Sequence, residues 1–218
     1  MKQFVLLFIV LTALSCKDEP KVPENFDYGT ANNGVYTNDY FNLRLEYDPS
    51  WNVQSKQQMD EISELGRELV NDDNLKKALK ASEINNASLF MAYKYPEGTF
   101  IDYNPSFSLI AENVKNAPMV TSGKDYLIEA QKIMKQTQVN YDFDFDMERK
   151  QIGPHTFDVL NATGNYLDNK YQQQFMATIT KDFCLLVVLS YKTEAQLAEL
   201  ESILGTLVFT DGKSKKKL

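Results

Sequence analysis

The chain has 218 residues, a formal net charge of −7 and 43% apolar residues, among them 13 Phe and 12 Tyr. This composition excludes a disordered chain, and the length suffices for one substantial hydrophobic core. The acidic balance argues against a nucleic-acid-binding protein, because such proteins need clustered positive charge to contact phosphates.

The first sixteen residues have the pattern of a secretion signal that ends at a cysteine. A short positive start with Lys2 leads into the apolar run 4–11, and the segment 13–15 precedes Cys16. The run is too short to span a bilayer, as in a removable signal. The pattern resembles a bacterial lipoprotein signal, which implies that residues 1–15 are removed and that acylated Cys16 holds the chain on a membrane. An ordinary secretory peptide with an incidental cysteine is the alternative.

The residues after Cys16 suggest where the protein is displayed. Lys17, Asp18 and Glu19 resemble the lysine-then-acid signal that, in one phylum of Gram-negative bacteria, sends lipoproteins to the outer face of the outer membrane. We therefore expect a surface-exposed outer-membrane lipoprotein, with the periplasmic face as the second choice. The polar segment 16–39 is broken by prolines and glycines, which predicts a flexible tether.

The first half of the domain is predicted to contain strands and two helices. Alternating apolar residues predict a strand over 41–47, and Trp51 begins a second extended piece. Apolar residues at helical spacing predict two helices between 56 and 83, with a break at 71–73. Two strands follow, the first with Leu89, Met91, Tyr93 and Tyr95 in alternation and the second over 107–111.

The second half begins with a helix and continues as a strand meander. Ser122 and Asp125 have the spacing of a helix cap, for a helix running to about Gln138. Four strands are predicted over 139–150, 156–166, 171–180 and 183–191, with turns at 153–154 and 168–169. The last strand is wholly apolar, which predicts a central strand buried on both faces. Thr193 and Gln196 begin a final helix that Gly205 ends.

This order predicts an α+β domain over residues 40–210, with helices flanking an antiparallel sheet of about six or seven strands. The following segments resemble the PsbP-like superfamily: Tyr40-Phe41-Asn42-Leu43, Tyr47-Asp48-Pro49-Ser50-Trp51, Ile152-Gly153, Ser190-Tyr191-Lys192-Thr193 and Leu207-Val208-Phe209. The resemblance covers nearly the whole domain and implies an α/β/α sandwich whose sheet binds partners. It carries no catalytic residues onto this chain. Residues 211–218 form a basic tail, interpreted as solvated, with contact to anionic lipid or polysaccharide as the alternative.

Asp142, Asp144 and Asp146 form the best candidate for a metal site. On a strand these carboxylates share one face, about 7 Å apart. Calcium loops of the Asp-x-Asp-x-Asp type also need a turn glycine and a distal glutamate, which are not placed here. The preferred interpretation is an amphipathic strand with aromatic side chains inward and acids in water.

His155 and Cys184 are the remaining candidates for chemistry. His155 is the only histidine, and it follows the turn at 153–154 without a nucleophile motif elsewhere in the sequence. Cys184 lies in the apolar run 183–189 and is expected to be a buried hydrophobe. We therefore predict no catalytic residue, no cofactor and no metal site.

The expected function is a non-enzymatic binding or assembly module, anchored to the membrane through Cys16, for an unidentified protein or envelope polymer. Tyr93, Tyr95, Phe100 and Tyr103 surround a loop with proline and glycine and supply the expected contacts. The alternatives are a surface glycan hydrolase, whose paired acids the abundance of Asp and Glu leaves open, and a metal-binding lipoprotein.

Overall fold

The structure is a computed structural model that describes Pro23, residues 26–82 and residues 86–210. Cys16, the segment 17–19 and the basic tail lie outside the described residues. The strands within the described ranges are β1 (Thr30–Asn32), β2 (Val35–Asn38), β3 (Leu43–Glu46), β4 (Asn52–Val53), β5 (Asn86–Tyr93), β6 (Ser106–Asn113), β7 (Asn140–Phe143), β8 (Glu148–Ile152), β9 (His155–Tyr166), β10 (Asn169–Thr180), β11 (Phe183–Tyr191) and β12 (Val208–Phe209). The helices are α1 (Lys56–Glu68), α2 (Asp73–Ser82), α3 (Gly123–Met134) and α4 (Glu194–Leu204).

The strands form two antiparallel sheets. The larger has eight strands in the order β4-β5-β6-β11-β10-β9-β7, with β8 also paired to β9. The smaller has the order β1-β2-β3-β12. The predicted α+β class with an antiparallel sheet and flanking helices is confirmed, and the second sheet is an addition to it. In the described residues, no helix combines the length and the apolar character needed to cross a bilayer.

Strand β11 is central, as its sequence predicts. It lies between β6 and β10, and seven of its nine residues are buried. Leu185, Val187 and Leu189 point to the face that packs on α4 and the small sheet, where the main core lies. Cys184 points to the opposite face, where α3 covers a second, smaller core. A strand in this position has both faces covered, which explains its apolar composition.

The helices begin where the sequence predicts, because their caps are local. Ser122 with Asp125 and Thr193 with Gln196 form capping boxes at the starts of α3 and α4. Helix α3 ends at Met134, although the sequence predicts an end near Gln138. The cause is tertiary, since the backbone N–H of Gln138 donates to the carbonyl of Leu69, 2.7 Å away, in the linker after α1.

The predicted tether over 16–39 is too long, because the chain is already folded from Phe26. Phe26 is buried, and β1 and β2 form a hairpin through Asn33 and Gly34, both with positive φ. Strand β1 is exposed at all three residues, so its sequence is polar and carries no apolar period. Tyr36 of β2 is buried and its hydroxyl donates to the carbonyl of Tyr28.

The predicted continuous strand over 139–150 is wrong. The chain leaves the sheet after Phe143 and re-enters at Glu148, so β7 and β8 pair with different parts of β9. The intervening Phe145 is fully exposed, although the alternation placed it inward. A second difference is a bulge in β5 between Ser88 and Phe90. After this bulge Phe90 and Ala92 face the core, whereas the predicted alternation placed Met91 and Tyr93 there.

Candidate functional site

The three candidate metal ligands are not gathered into a site. Asp142 lies on β7, whereas Asp144 and Asp146 lie in the segment between β7 and β8, and all three are exposed. Within the ranges that the structure describes, no group of three or more His, Cys, Asp or Glu side chains is placed to hold a metal ion.

His155 and Cys184 have packing roles. His155 is the first residue of β9, and its ring lies edge-on to Phe209 with the centroids 4.4 Å apart. Partial burial lowers the pKa of His155, so the neutral ring is favoured. Cys184 is a buried free thiol, and burial raises its pKa well above the ordinary range, which keeps the thiol protonated and unreactive.

The loop between β5 and β6, residues 94–105, has a firmly held base. The Asn104 side chain bridges to Tyr95 in both directions: its Oδ1 accepts from the Tyr95 N–H at 3.0 Å, and its Nδ2 donates to the Tyr95 carbonyl at 2.8 Å. The Lys94 N–H donates to the Pro105 carbonyl at 3.0 Å. These bonds continue the ladder of the sheet into the loop and fix where the loop begins and ends.

The far half of the loop is held by neighbouring elements. Lys192, just before α4, forms an ion pair with Asp102 at 2.8 Å, and Gln196 Nε2 donates to the Tyr103 carbonyl at 3.2 Å. The Tyr103 ring stacks on Tyr171 with the centroids 5.5 Å apart, and its hydroxyl shares a hydrogen bond with Ser190. Burial raises the pKa of Tyr103 to about 12, so this hydroxyl stays neutral.

Gly164 makes room for this aromatic stack. It lies directly across from Tyr171 in the β9–β10 pair. A Cβ atom at Gly164 would come within 2.6 Å of the Tyr171 ring. The ring therefore covers the glycine, and any larger residue there would displace the surface on which Tyr103 rests.

Three apolar side chains project from the same end of the large sheet. Phe100 is fully exposed at the tip of the loop, Ile101 is 37% exposed, and Leu167 in the β9–β10 turn is 82% exposed. Lys192 connects the two segments, because its Nζ donates to Asp102 Oδ1 at 2.9 Å and to Asn169 Oδ1 at 3.3 Å. We call these three residues, Phe100, Ile101 and Leu167, the apolar tip. Large exposed apolar groups on a fixed loop are typical of an interaction surface.

A groove of about 240 Å³ lies beside the loop, between it and α1. Its lining combines apolar and polar side chains: Asn52, Gln54, Gln58, Glu61, Ile62, Leu65, Tyr93, Tyr95, Glu97 and Asn104. The charged groups in this lining are both acidic. The nearby Lys94 is ion-paired with Glu199 at 2.5 Å, and that hydrogen bond raises the pKa of Lys94. The groove therefore suits an apolar group next to a positive charge.

The apolar tip and the ends of the described domain lie at opposite ends of the sheet. Phe26 stacks on Phe183 at the start of β11, with the centroids 5.3 Å apart, and the Thr210 N–H donates to the carbonyl of Asn42. The β5–β6 loop that contains Phe100 lies at the other end of β11, where Ser106 pairs with Ser190, about 27 Å away for a strand of nine residues. The tip is thus remote from the point where the N-terminal segment joins the domain.

The four aromatic residues that the sequence predicts as contacts lie at or near this end of the sheet. Tyr93, Tyr95, Phe100 and Tyr103 were all expected at the contact surface, and the structure places Phe100 in the tip, Tyr93 and Tyr95 in the groove, and Tyr103 in the support beneath. Leu167 was missed. The signal that could have found Leu167 is an apolar residue at a turn between two long predicted strands.

Comparison with known proteins supports the fold. No family model matches the chain, and no curated protein matches it significantly. The chain is similar to the solution structure of cyanobacterial PsbP (CyanoP) from Synechocystis sp. PCC 6803, with a TM-score of 0.51 and 9% identity, over 84% of this chain and 96% of that one. The chain therefore has the PsbP-like fold that its sequence resemblance predicts.

Two further solved structures are similar more loosely. One is a protein of unknown function, PA94, from Pseudomonas aeruginosa, with a TM-score of 0.41 and 15% identity over 54% of this chain and 81% of that one. The other is LpqN of Mycobacterium tuberculosis, described as involved in cell envelope biogenesis, with a TM-score of 0.32 and 9% identity over 75% and 78%. The similarity to CyanoP, at 9% identity, shows the fold alone, and the two looser similarities add nothing further to it.

Proposed function

We propose that this chain is a lipid-anchored, non-enzymatic protein of the bacterial cell envelope that binds another protein through the apolar tip and the adjoining groove. The observation that carries this proposal is the exposure of Phe100 and Ile101 on a loop held by specific hydrogen bonds, with exposed Leu167 in the β9–β10 turn at the same end of the sheet. A held loop loses little conformational entropy when it binds, so its exposed apolar area contributes more fully to affinity.

The proposed anchor is acylated Cys16, and the proposed location is the outer face of the outer membrane. The sequence supports both through the apolar run before Cys16 and the Lys17-Asp18-Glu19 segment after it. Two or three acyl chains hold a protein on a membrane durably, whereas one holds it only marginally. With the N-terminal segment joining the domain at one end of β11, the apolar tip at the other end is available to a partner away from the anchor.

The proposal is tested by affinity capture with the full-length chain in membranes of the source organism. Phe100→Ser together with Ile101→Ser should remove the captured partner, because both changes subtract exposed apolar area without touching the loop base. Phe145→Ser is the matched control, since Phe145 is equally exposed but lies between β7 and β8. The proposal would be contradicted if the parent chain, the double variant and the Phe145→Ser control captured equal amounts of the partner.

A further inference from the structure

A second cavity, of about 330 Å³, lies between the end of β6 and α3. Its walls are mainly apolar and come from the β6–α3 connection and from α3 itself: Val114, Ala117, Val120, Ala130 and Ile133. The polar groups that also line it include Glu112, Asn113 and Asn116. This cavity shares no lining residue with the groove beside the apolar tip.

Glu112 is the unusual residue of this cavity. It lies on the α3-facing side of β6, directly across from Cys184 of β11. Its Oε2 accepts a hydrogen bond from the Tyr126 hydroxyl at 2.7 Å. Loss of solvation raises the pKa of the Glu112 carboxyl, and the bond from Tyr126 offsets that only in part.

The hydrogen bond from Tyr126 requires an acceptor at this position, and that acceptor need not be charged. Glu112 follows the alternation of β6 toward the smaller core, whose buried members include Val114, Leu127 and Cys184. A neutral amide there could accept the same bond without the cost of desolvating a charge, whereas a carboxylate in such surroundings lowers stability at neutral pH. A half-buried carboxyl beside apolar cavity walls is an arrangement typical of a binding group.

The chemistry of the lining indicates the class of ligand. Glu129 is the other charged lining side chain, and Lys132 pairs with it at 2.6 Å. Among the described residues that line the cavity there is no lysine or arginine, so an anionic ligand would meet no positive charge there. Glu112 is therefore the acceptor that is available to an incoming cation, next to the apolar walls of Val120 and Ile133.

We propose that this cavity binds a small organic cation, a primary ammonium group on a short apolar chain, with the ammonium donating to Glu112 and the chain packing on Val120 and Ile133. The ammonium would supply a positive partner for the Glu112 carboxylate, which forms no ion pair among the described residues, and the chain would displace water from the apolar walls. This site is separate from the proposed partner-binding surface and does not depend on it.

The test is calorimetric titration of the full chain at pH 7 with n-hexylammonium, compared with 1-hexanol and hexanoate. Hexylammonium should bind saturably at millimolar concentration, and the alcohol and the acid should bind at least about tenfold more weakly. Glu112→Gln should weaken hexylammonium by at least about tenfold as well, because the amide keeps the shape and removes the charge. Glu148→Gln, on exposed β8 outside the cavity, should leave binding unchanged.

A stability measurement separates lost binding from lost folding. Because the pKa of Glu112 is raised in the folded chain, the folded state binds more protons than the unfolded state, and stability falls as pH rises above the ordinary value of 4.5. Glu112→Gln removes this loss, so its melting temperature should exceed that of the parent chain more at pH 7 than at pH 4. The proposal is overturned if hexylammonium does not bind the parent chain, if hexanol binds equally, or if Glu112→Gln binds with unchanged affinity.

Discussion

Replacing Val187 by Thr measures how strongly the central strand depends on its apolar face. Val187 is fully buried on β11 between Leu109 of β6 and Met176 of β10. Threonine has nearly the same shape, but its hydroxyl would face apolar side chains while the neighbouring backbone groups are already paired in the sheet. Burying a hydroxyl without a partner costs about 1–3 kcal/mol. For a domain of this size, 2 kcal/mol lowers the melting temperature by roughly 4–8 °C.

Val188→Thr is the matched control, because it makes the same change one residue later on the opposite face. Val188 is half-buried between Ser108 and Phe175, where a hydroxyl retains access to water. We expect a loss below about 1 kcal/mol. Urea unfolding followed by circular dichroism gives both free energies of unfolding. Equal losses for the two variants, or a larger loss for Val188→Thr, would refute the assignment of the two faces of β11.

Three further predictions concern the loop support, the anchor and the acidic segment. Gly164→Ala should lower the melting temperature by displacing the Tyr171 ring. The double variant Gly164→Ala with Tyr171→Leu should melt close to Tyr171→Leu alone, and additive losses of melting temperature would refute this contact. Cys16→Ser should leave the membrane fraction after a salt wash, and retention there would disprove the lipid anchor. Millimolar calcium should leave the melting temperature unchanged, whereas a rise that Asp144→Asn abolishes would reveal a metal site.

The elements that could be predicted from sequence are those whose causes are local. The capping boxes at Ser122 and Thr193 depend on residues three positions apart, and both helices begin where expected. Strand β11 could be identified because a strand covered on both faces has no polar alternation. The PsbP-like fold followed from the order of these elements and a few segments at their ends.

The features that the sequence did not predict depend on distant parts of the chain. Helix α3 ends early because residue 138 pairs with the linker after α1, some seventy residues before it in the chain. The β1–β2 hairpin was interpreted as tether because β1 is an exposed edge strand with no apolar face. The bulge in β5 shifts the core face by one residue, which no periodicity of β5 alone reveals.

The aromatic loop of the candidate site could be predicted from the sequence, but the position of Leu167 at the same end of the sheet could not. Phe100 and Tyr103 belong to one loop, and they lie near each other because they are only three residues apart in the chain. Leu167 joins the apolar tip only because the β9–β10 turn lies at the same end of the sheet as the β5–β6 loop, which follows from the strand order.

Site-specific photo-crosslinking in intact cells tests most directly whether the apolar tip binds a protein. Phe100→benzoylphenylalanine in the full-length chain places a photoreactive aromatic group at the tip of the loop, and Phe145→benzoylphenylalanine places the same group at an equally exposed position between β7 and β8. The account predicts one discrete crosslinked protein product from position 100 and none from position 145. No product from position 100, or the same product from both positions, would contradict it.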